Sequence, residues 1–214
     1  MEKVSIITQD EVRLSGLLWG AQSRFSVLLL HMMPATKESW EDLANRLFHR
    51  GMNVLAIDFR GHGQSDGGSY KAFTDEQHQK YYFDTEAAVE FLTQKYPKTT
   101  IDMAGASIGA NIMIQYMVGH PEIIKGVALS AGLDYYGVRA IELVESLHVD
   151  QELFYVASHD DMRSGGSDCG IMAEQLAHST ASKSKITVYD TGGHGTNMLQ
   201  SKPELLDQIQ QFFQ

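Results

Sequence analysis

The sequence predicts an α/β protein with a mostly parallel central sheet and helices on both faces. Short apolar runs, residues 26–31 and 53–58 among them, have strand length and no polar face, as in strands buried on both sides of a parallel sheet. Segments with helical periodicity, about a dozen residues each, separate these runs and are long enough for the right-handed crossovers that parallel strands require. The residues able to carry chemistry fall mostly just after strands, at the carboxyl ends where such sheets place their sites.

Residues 4–8 and 12–19 alternate in the manner of an opening β-hairpin, joined through Gln9, Asp10 and Glu11. The run 26–31 is the first buried strand. A helix follows, with Ser39 and Asp42 as an imperfect capping box. Trp40, Leu43, Ala44, Leu47 and Phe48 share one face, and Gly51 stands at the C-terminal cap. After the strand 53–58 comes a polar, glycine-rich loop, then a helix over about 84–96 stopped by Pro97. Residues 99–104 form the next strand. The apolar segment 110–118 forms a helix closed by Gly119 and Pro121. Strands are expected at 127–130, 153–157 and 186–189, with a weaker helix near 171–181. The last helix is expected to start at Ser201 with Glu204 as its box partner, burying Leu205, Leu206, Ile209, Phe212 and Phe213.

With 214 residues, no repeats and no proline-rich linker, the chain reads as one domain, 1–214. Its 17 basic and 27 acidic residues give a net charge of −10 without a basic cluster, which argues against a nucleic-acid partner. A single cysteine, Cys169, excludes an internal disulfide and any cysteine-based zinc cluster, and it reads as a buried or incidental thiol. No stretch approaches membrane-spanning length, and the N-terminus lacks the pattern of a secretion signal. A cytoplasmic protein without membrane insertion is therefore the expectation. No signal for an oligomeric state is present.

Gly105-Ala106-Ser107-Ile108-Gly109 lies between a strand and an apolar helix. A Gly-x-Ser-x-Gly in that setting turns sharply and lifts the serine hydroxyl out of the sheet, with the helix dipole beneath it, so Ser107 is the candidate nucleophile. Gly63-Gln64-Ser65-Asp66-Gly67 matches the same five-residue pattern but has no helix behind it and reads as a loop. A serine needs a base, and the base an orienting carboxylate. Of the nine histidines, His194 is the candidate base: it sits between the last strand and the last helix, with glycines on both sides. His31 ends a strand and is expected to shape the backbone. His62 lies in the polar loop, and His78 falls on a stretch read as solvated. The acid should follow a strand between Ser107 and His194, where Asp160 and Asp161 compete and Asp134 is a third possibility.

Together these motifs resemble the α/β-hydrolase superfamily over almost the whole chain. The segment 57–67, containing Asp58-Phe59-Arg60-Gly61-His62-Gly63-Gln64-Ser65, is similar to the superfamily's Asp-x-Arg-Gly-His-Gly-x-Ser signature. The order serine, acid, histidine is also that of the fold. The resemblance favours Asp161, three residues after Ser158, as the acid. It also implies an oxyanion hole formed by the N–H groups of Met33 and Ile108. Here the usual His-Gly-x reads His31-Met32-Met33, so Met32 replaces a glycine. The short stretch between the strands at 127–130 and 153–157 leaves room for at most one small helix, 138–147, where relatives insert a cap. The implied protein is a small, nearly capless serine hydrolase, esterase or dienelactone hydrolase-like, with a shallow open pocket for a small-molecule ester or thioester. It would use no cofactor and no metal. A peptidase, amidase or lactone hydrolase with the same triad is the nearest alternative, and a non-catalytic binding protein on this fold is more distant.

Overall fold

The computed structural model describes residues 1–163 and 166–214. Among the described residues the strands are β1 (Glu2–Ile7), β2 (Arg13–Trp19), β3 (Phe25–Leu30), β4 (Asn53–Ile57), β5 (Thr100–Ala106), β6 (Lys125–Leu129), β7 (Glu152–Ser158) and β8 (Lys183–Tyr189). They form one sheet in the order β1-β2-β4-β3-β5-β6-β7-β8. The β1–β2 and β2–β4 pairs are antiparallel. All pairs from β4 to β8 are parallel. The expected α/β architecture is therefore present, with the strand order reversing around β3 and β4.

The helices are α1 (Glu41–His49), α2 (Asp75–Gln79), α3 (Tyr81–Lys95), α4 (Ile108–Gly119), α5 (Ala140–Leu143), α6 (Cys169–Ser179), α7 (Met198–Ser201) and α8 (Glu204–Phe212). One face of the sheet packs against residues of α3, α4, α5 and α6, including Tyr81, Leu92, Ile112, Met113 and Leu176. The other packs against α1 and α8 through Trp40, Leu43, Leu47, Leu205 and Ile209. The inner strands need apolar residues on both faces because both are covered, which is why β3 and β4 read as unbroken apolar runs.

Several boundaries differ from the sequence reading. Ser39 does not cap α1: a 3₁₀ turn over Lys37–Trp40 leads into the helix, and Ser39 Oγ has no hydrogen-bond partner among the described residues. The segment is instead fixed by Asp58, which accepts from the Lys37 N–H at 2.9 Å and pairs with buried Lys37 Nζ at 2.6 Å. Gly51 does end this helix, at φ +82°, as expected. Helix α3 begins at Tyr81, earlier than expected, and α2 before it carries a Thr74–Gln77 capping box that the sequence reading passed over. The final helix starts at Glu204 after Pro203, not at Ser201. Ser201 ends α7, and its hydroxyl donates to Gly192 O at 2.6 Å; Pro203 breaks the continuity because the residue before a proline avoids helical backbone. The small helix foreseen over 138–147 contracts to α5 and a 3₁₀ turn, Val144–Ser146, so the chain has no large cap among the described residues. Among the described residues, no helix is long and apolar enough to cross a membrane.

Candidate active site

β5 runs directly into α4 through Ser107, whose backbone has φ +53° and ψ −122°, a conformation that L residues adopt only under constraint. The constraint comes from close packing around the turn. A Cβ on Gly105 would collide with the Gly109 carbonyl, and one on Gly109 with the carbonyls of Leu30 and His31. The two glycines thus let helix, turn and β3 approach to backbone contact. Ser107 N–H donates to Leu129 O at 2.8 Å, fixing the turn against β6.

Ser65, in the second copy of the pattern, is tied down. Its hydroxyl donates to Asp58 O at 2.7 Å and accepts from Ser15 N–H at 2.9 Å, so it serves as a loop strut.

The loop after β8 carries His194, and its Nδ1 lies 2.6 Å from Asp161 Oδ2. The ring's Nε2 is shielded from solvent and has no hydrogen-bond partner among the described residues. Gly195, the next residue, sits at φ +54° against Ala106 and the Met32 sulfur. The histidine loop therefore rests on the residue just before Ser107. Gly195 N–H also donates to Ser130 Oγ at 3.0 Å, and Ser130, itself at φ +49°, helps to stabilise the ionised Asp161 carboxylate. The sequence reading missed Ser130; a small polar residue at the carboxyl end of β6 was its only signal. Burial pushes the Asp161 carboxyl up, but hydrogen bonds from His194, Cys169 and Ser130 outweigh it and hold the group below its ordinary value.

The two adjacent aspartates separate cleanly. Asp160 accepts from Gly192 N–H at 3.0 Å and Gly193 N–H at 3.1 Å, so it shapes the histidine loop without meeting the ring. Asp134 accepts from Gly137 N–H at 2.9 Å in a separate turn. Asp161 is the carboxylate brought to His194.

Met33 lines the cavity beside Ser107 and Ile108 follows Ser107 directly, and neither backbone N–H has an acceptor among the described residues. Ile108 opens α4, where a helix leaves its first N–H groups unpaired. Met32 is buried against Gly195, so it packs; only Met33 reaches the cavity beside Ser107. His31 acts on backbone: its Nε2 accepts from Phe59 N–H at 3.0 Å, its Nδ1 donates to Met32 O at 2.8 Å, and burial lowers its pKa to about 4.

The cavity over Ser107 has a volume of about 650 Å³. Tyr70, Phe73, His78, Tyr135 and Tyr136 supply aromatic walls, and Lys71, Asp134 and Arg163 supply charge. The sequence reading placed His78 on a solvated stretch. It is buried instead, because α2 folds it under Tyr136 with ring centroids 4.1 Å apart and sets its Nδ1 3.1 Å from Tyr81 Oη. His62 is also buried, stacked on Tyr70 at 4.0 Å, where burial lowers its pKa to about 3.

Asp161, Cys169 and His194 bring possible ligand atoms within 4.8 Å of one another. Two of the three are engaged with each other, His194 Nδ1 lying 2.6 Å from Asp161 Oδ2, and burial pushes the Cys169 thiol up to about 12.

A doubly covered parallel sheet, a serine on a strained strand–helix turn and a histidine–aspartate pair on later loops define an esterase-like α/β hydrolase. The chain belongs to the family described as serine aminopeptidase, S33, whose model matches residues 21–149. Among solved structures it resembles the esterase Pf2001 of Pyrococcus furiosus, at 25% identity and a TM-score of 0.79, covering 99% of this chain and 89% of that one. The Exiguobacterium antarcticum esterase shares the fold at 15% identity and a TM-score of 0.77, covering 99% of both chains. A curated relative, the AB hydrolase superfamily protein YisY of Bacillus subtilis, is 30% identical over 112 residues, 49% of this chain and 37% of its own. The matched segment thus spans little more than a third of that relative.

Proposed function

We propose that the chain is a serine hydrolase that cleaves carboxylic esters, thioesters included, through an acyl-enzyme. In this reading His194 Nε2 takes the proton of Ser107 Oγ as that oxygen attacks the carbonyl carbon. The tetrahedral oxyanion accepts from the N–H groups of Ile108 and Met33 at the positive end of α4. His194 then gives its proton to the leaving alcohol or thiol. Water, deprotonated by the same ring, attacks the acyl-enzyme, and collapse of the second intermediate releases the acid and restores Ser107. Asp161 holds the Nδ1–H tautomer throughout and stabilises the imidazolium.

The observation that carries the proposal is the 2.6 Å His194–Asp161 hydrogen bond on a loop packed against the residue before Ser107, with Nε2 left unpaired. An ester substrate agrees with the names of a structural neighbour, an esterase, and a curated relative, the probable lysophospholipase L2 of Haemophilus influenzae. The family's description favours a second reading, an aminopeptidase. Against it, a free α-amino group calls for carboxylates, whereas among the described residues the cavity wall holds two cations and one carboxylate, Asp134.

Hydrolysis of p-nitrophenyl esters of graded chain length, beside a thioester and an aminoacyl amide, separates these readings. Short acyl esters are expected to turn over, and Ser107→Ala to abolish that turnover. Hydrolysis of the amide alone would favour the peptidase, and a strong preference for long chains would contradict the open cavity.

A further inference from the structure

We propose that the Ser107 site selects esters carrying a carboxylate, gripped by Lys71 and Arg163. The inference rests on the ester-hydrolase reading and adds the charge of the substrate.

Both cations line the cavity that contains Ser107, on a chain whose net charge is −10. They arrive from opposite sides. Lys71 lies in the 3₁₀ turn Tyr70–Ala72 after β4, and Arg163 lies after β7. Each of those strands is two places from β5 in the sheet, so the cations flank the central nucleophile. Arg163 has one acidic neighbour at the limit of ion-pair distance, and Lys71 has no ion-pair partner among the described residues. Arg163 Nη1 stands 3.8 Å from Asp161 Oδ1, a loose contact, while the other oxygen of that carboxylate holds His194. The Tyr135 ring, 5.8 Å from the Arg163 guanidinium, lies beneath it. Asp134 is the remaining acid in the wall, and its Oδ1 is occupied by Gly137 N–H. His78 adds no charge at neutral pH, since burial lowers its pKa. The wall therefore carries two cations against one partly engaged carboxylate, surrounded by tyrosines. An anionic group several bonds from the scissile carbonyl matches it better than a plain alkyl chain does.

Two substrate pairs test this, followed by proton release at constant pH. Monoethyl glutarate against ethyl pentanoate places the charge on the acyl side. Butyryl glycolate against propyl butyrate places it on the alcohol side. At least one anionic ester should have the higher kcat/KM of its pair. The ratio should fall about threefold to fivefold on Lys71→Met or Arg163→Met, as partly exposed ion pairs allow. It should survive Lys71→Arg and reverse on Lys71→Glu. A wild-type preference for both neutral esters, or a ratio unmoved by Lys71→Glu and Arg163→Met, would overturn the inference. Binding of both substrate pairs to the Ser107→Ala chain, read by calorimetry, keeps the two readings apart. No advantage for either anion there overturns charge recognition. An advantage without any turnover by the wild-type chain overturns only the hydrolase reading.

Discussion

Asp160 and Asp161 are neighbours in sequence and differ in everything that matters to the proposed chemistry. One carboxylate accepts two glycine N–H groups of the histidine loop; the other meets the ring. Replacing Asp161 with Asn keeps the shape but removes the charge and the tautomer control, and kcat should fall on the order of 10³–10⁴-fold, as for a triad acid. Asp160→Asn should cost much less, acting through loop position, and a steady-state comparison of the two variants measures the difference. The residue pattern alone left Asp160, Asp161 and Asp134 open, because the choice depends on how the chain leaves β7, and the resemblance favoured Asp161. The same holds for serine. Two copies of Gly-x-Ser-x-Gly exist, and the surrounding pattern of strand and helix was enough to separate Ser107 from Ser65.

At the scale of elements, β5 positions the turn and also carries a titrating group. Asp102 accepts from Lys125 N–H at 3.0 Å, yet burial raises its pKa from 3.8 to about 6. Its folded-state value lies above its unfolded one, so the folded chain binds more protons between these pH values. This contribution to stability is full below about pH 4 and is lost as pH rises through about 6. Urea melts should show Asp102→Asn to be more stable than the parent above pH 6, by on the order of 1–3 kcal/mol, with the advantage vanishing near pH 4. The type of the sheet strands and longer helices was legible because apolar period and glycine or proline stops are local, whereas the short, polar α2 was not. Helix starts were less so. Ser39 and Ser201 both have the residue pattern of a cap, but Asp58 and Pro203 set those boundaries through contacts or backbone limits the box pattern does not contain.

Across the whole molecule, the signature after β4 works as a structural clamp. Arg60 Nε donates to Asp84 Oδ1 of α3 at 2.8 Å, and its two terminal nitrogens reach Asp10 in the β1–β2 turn at 2.6 and 2.8 Å. The clamp joins the antiparallel edge, the β4 loop and a crossover helix. Arg60→Ala strands the buried Asp84 carboxylate and should cost about 3–5 kcal/mol at neutral pH. Burial already raises Asp84 to about 6, so the penalty should shrink on acidification as that carboxyl takes up a proton, an outcome that denaturant melts across pH can read. The architecture, its serine turn and its histidine were legible from sequence because each depends on local pattern and chain order. The cavity was not. Its walls come from separate loops after β3, β4, β6 and β7, so the aromatic lining, the burial of His78 and the flanking cations emerge only when the sheet brings those loops together.

The central claim is that Ser107 is a nucleophile activated by His194. A fluorophosphonate probe followed by peptide mass mapping tests it most directly. One adduct on the peptide containing Ser107, absent in Ser107→Ala and greatly slowed in His194→Ala, is the predicted result. A folded chain that leaves Ser107 unmodified, or takes the probe at Ser65 instead, would contradict it.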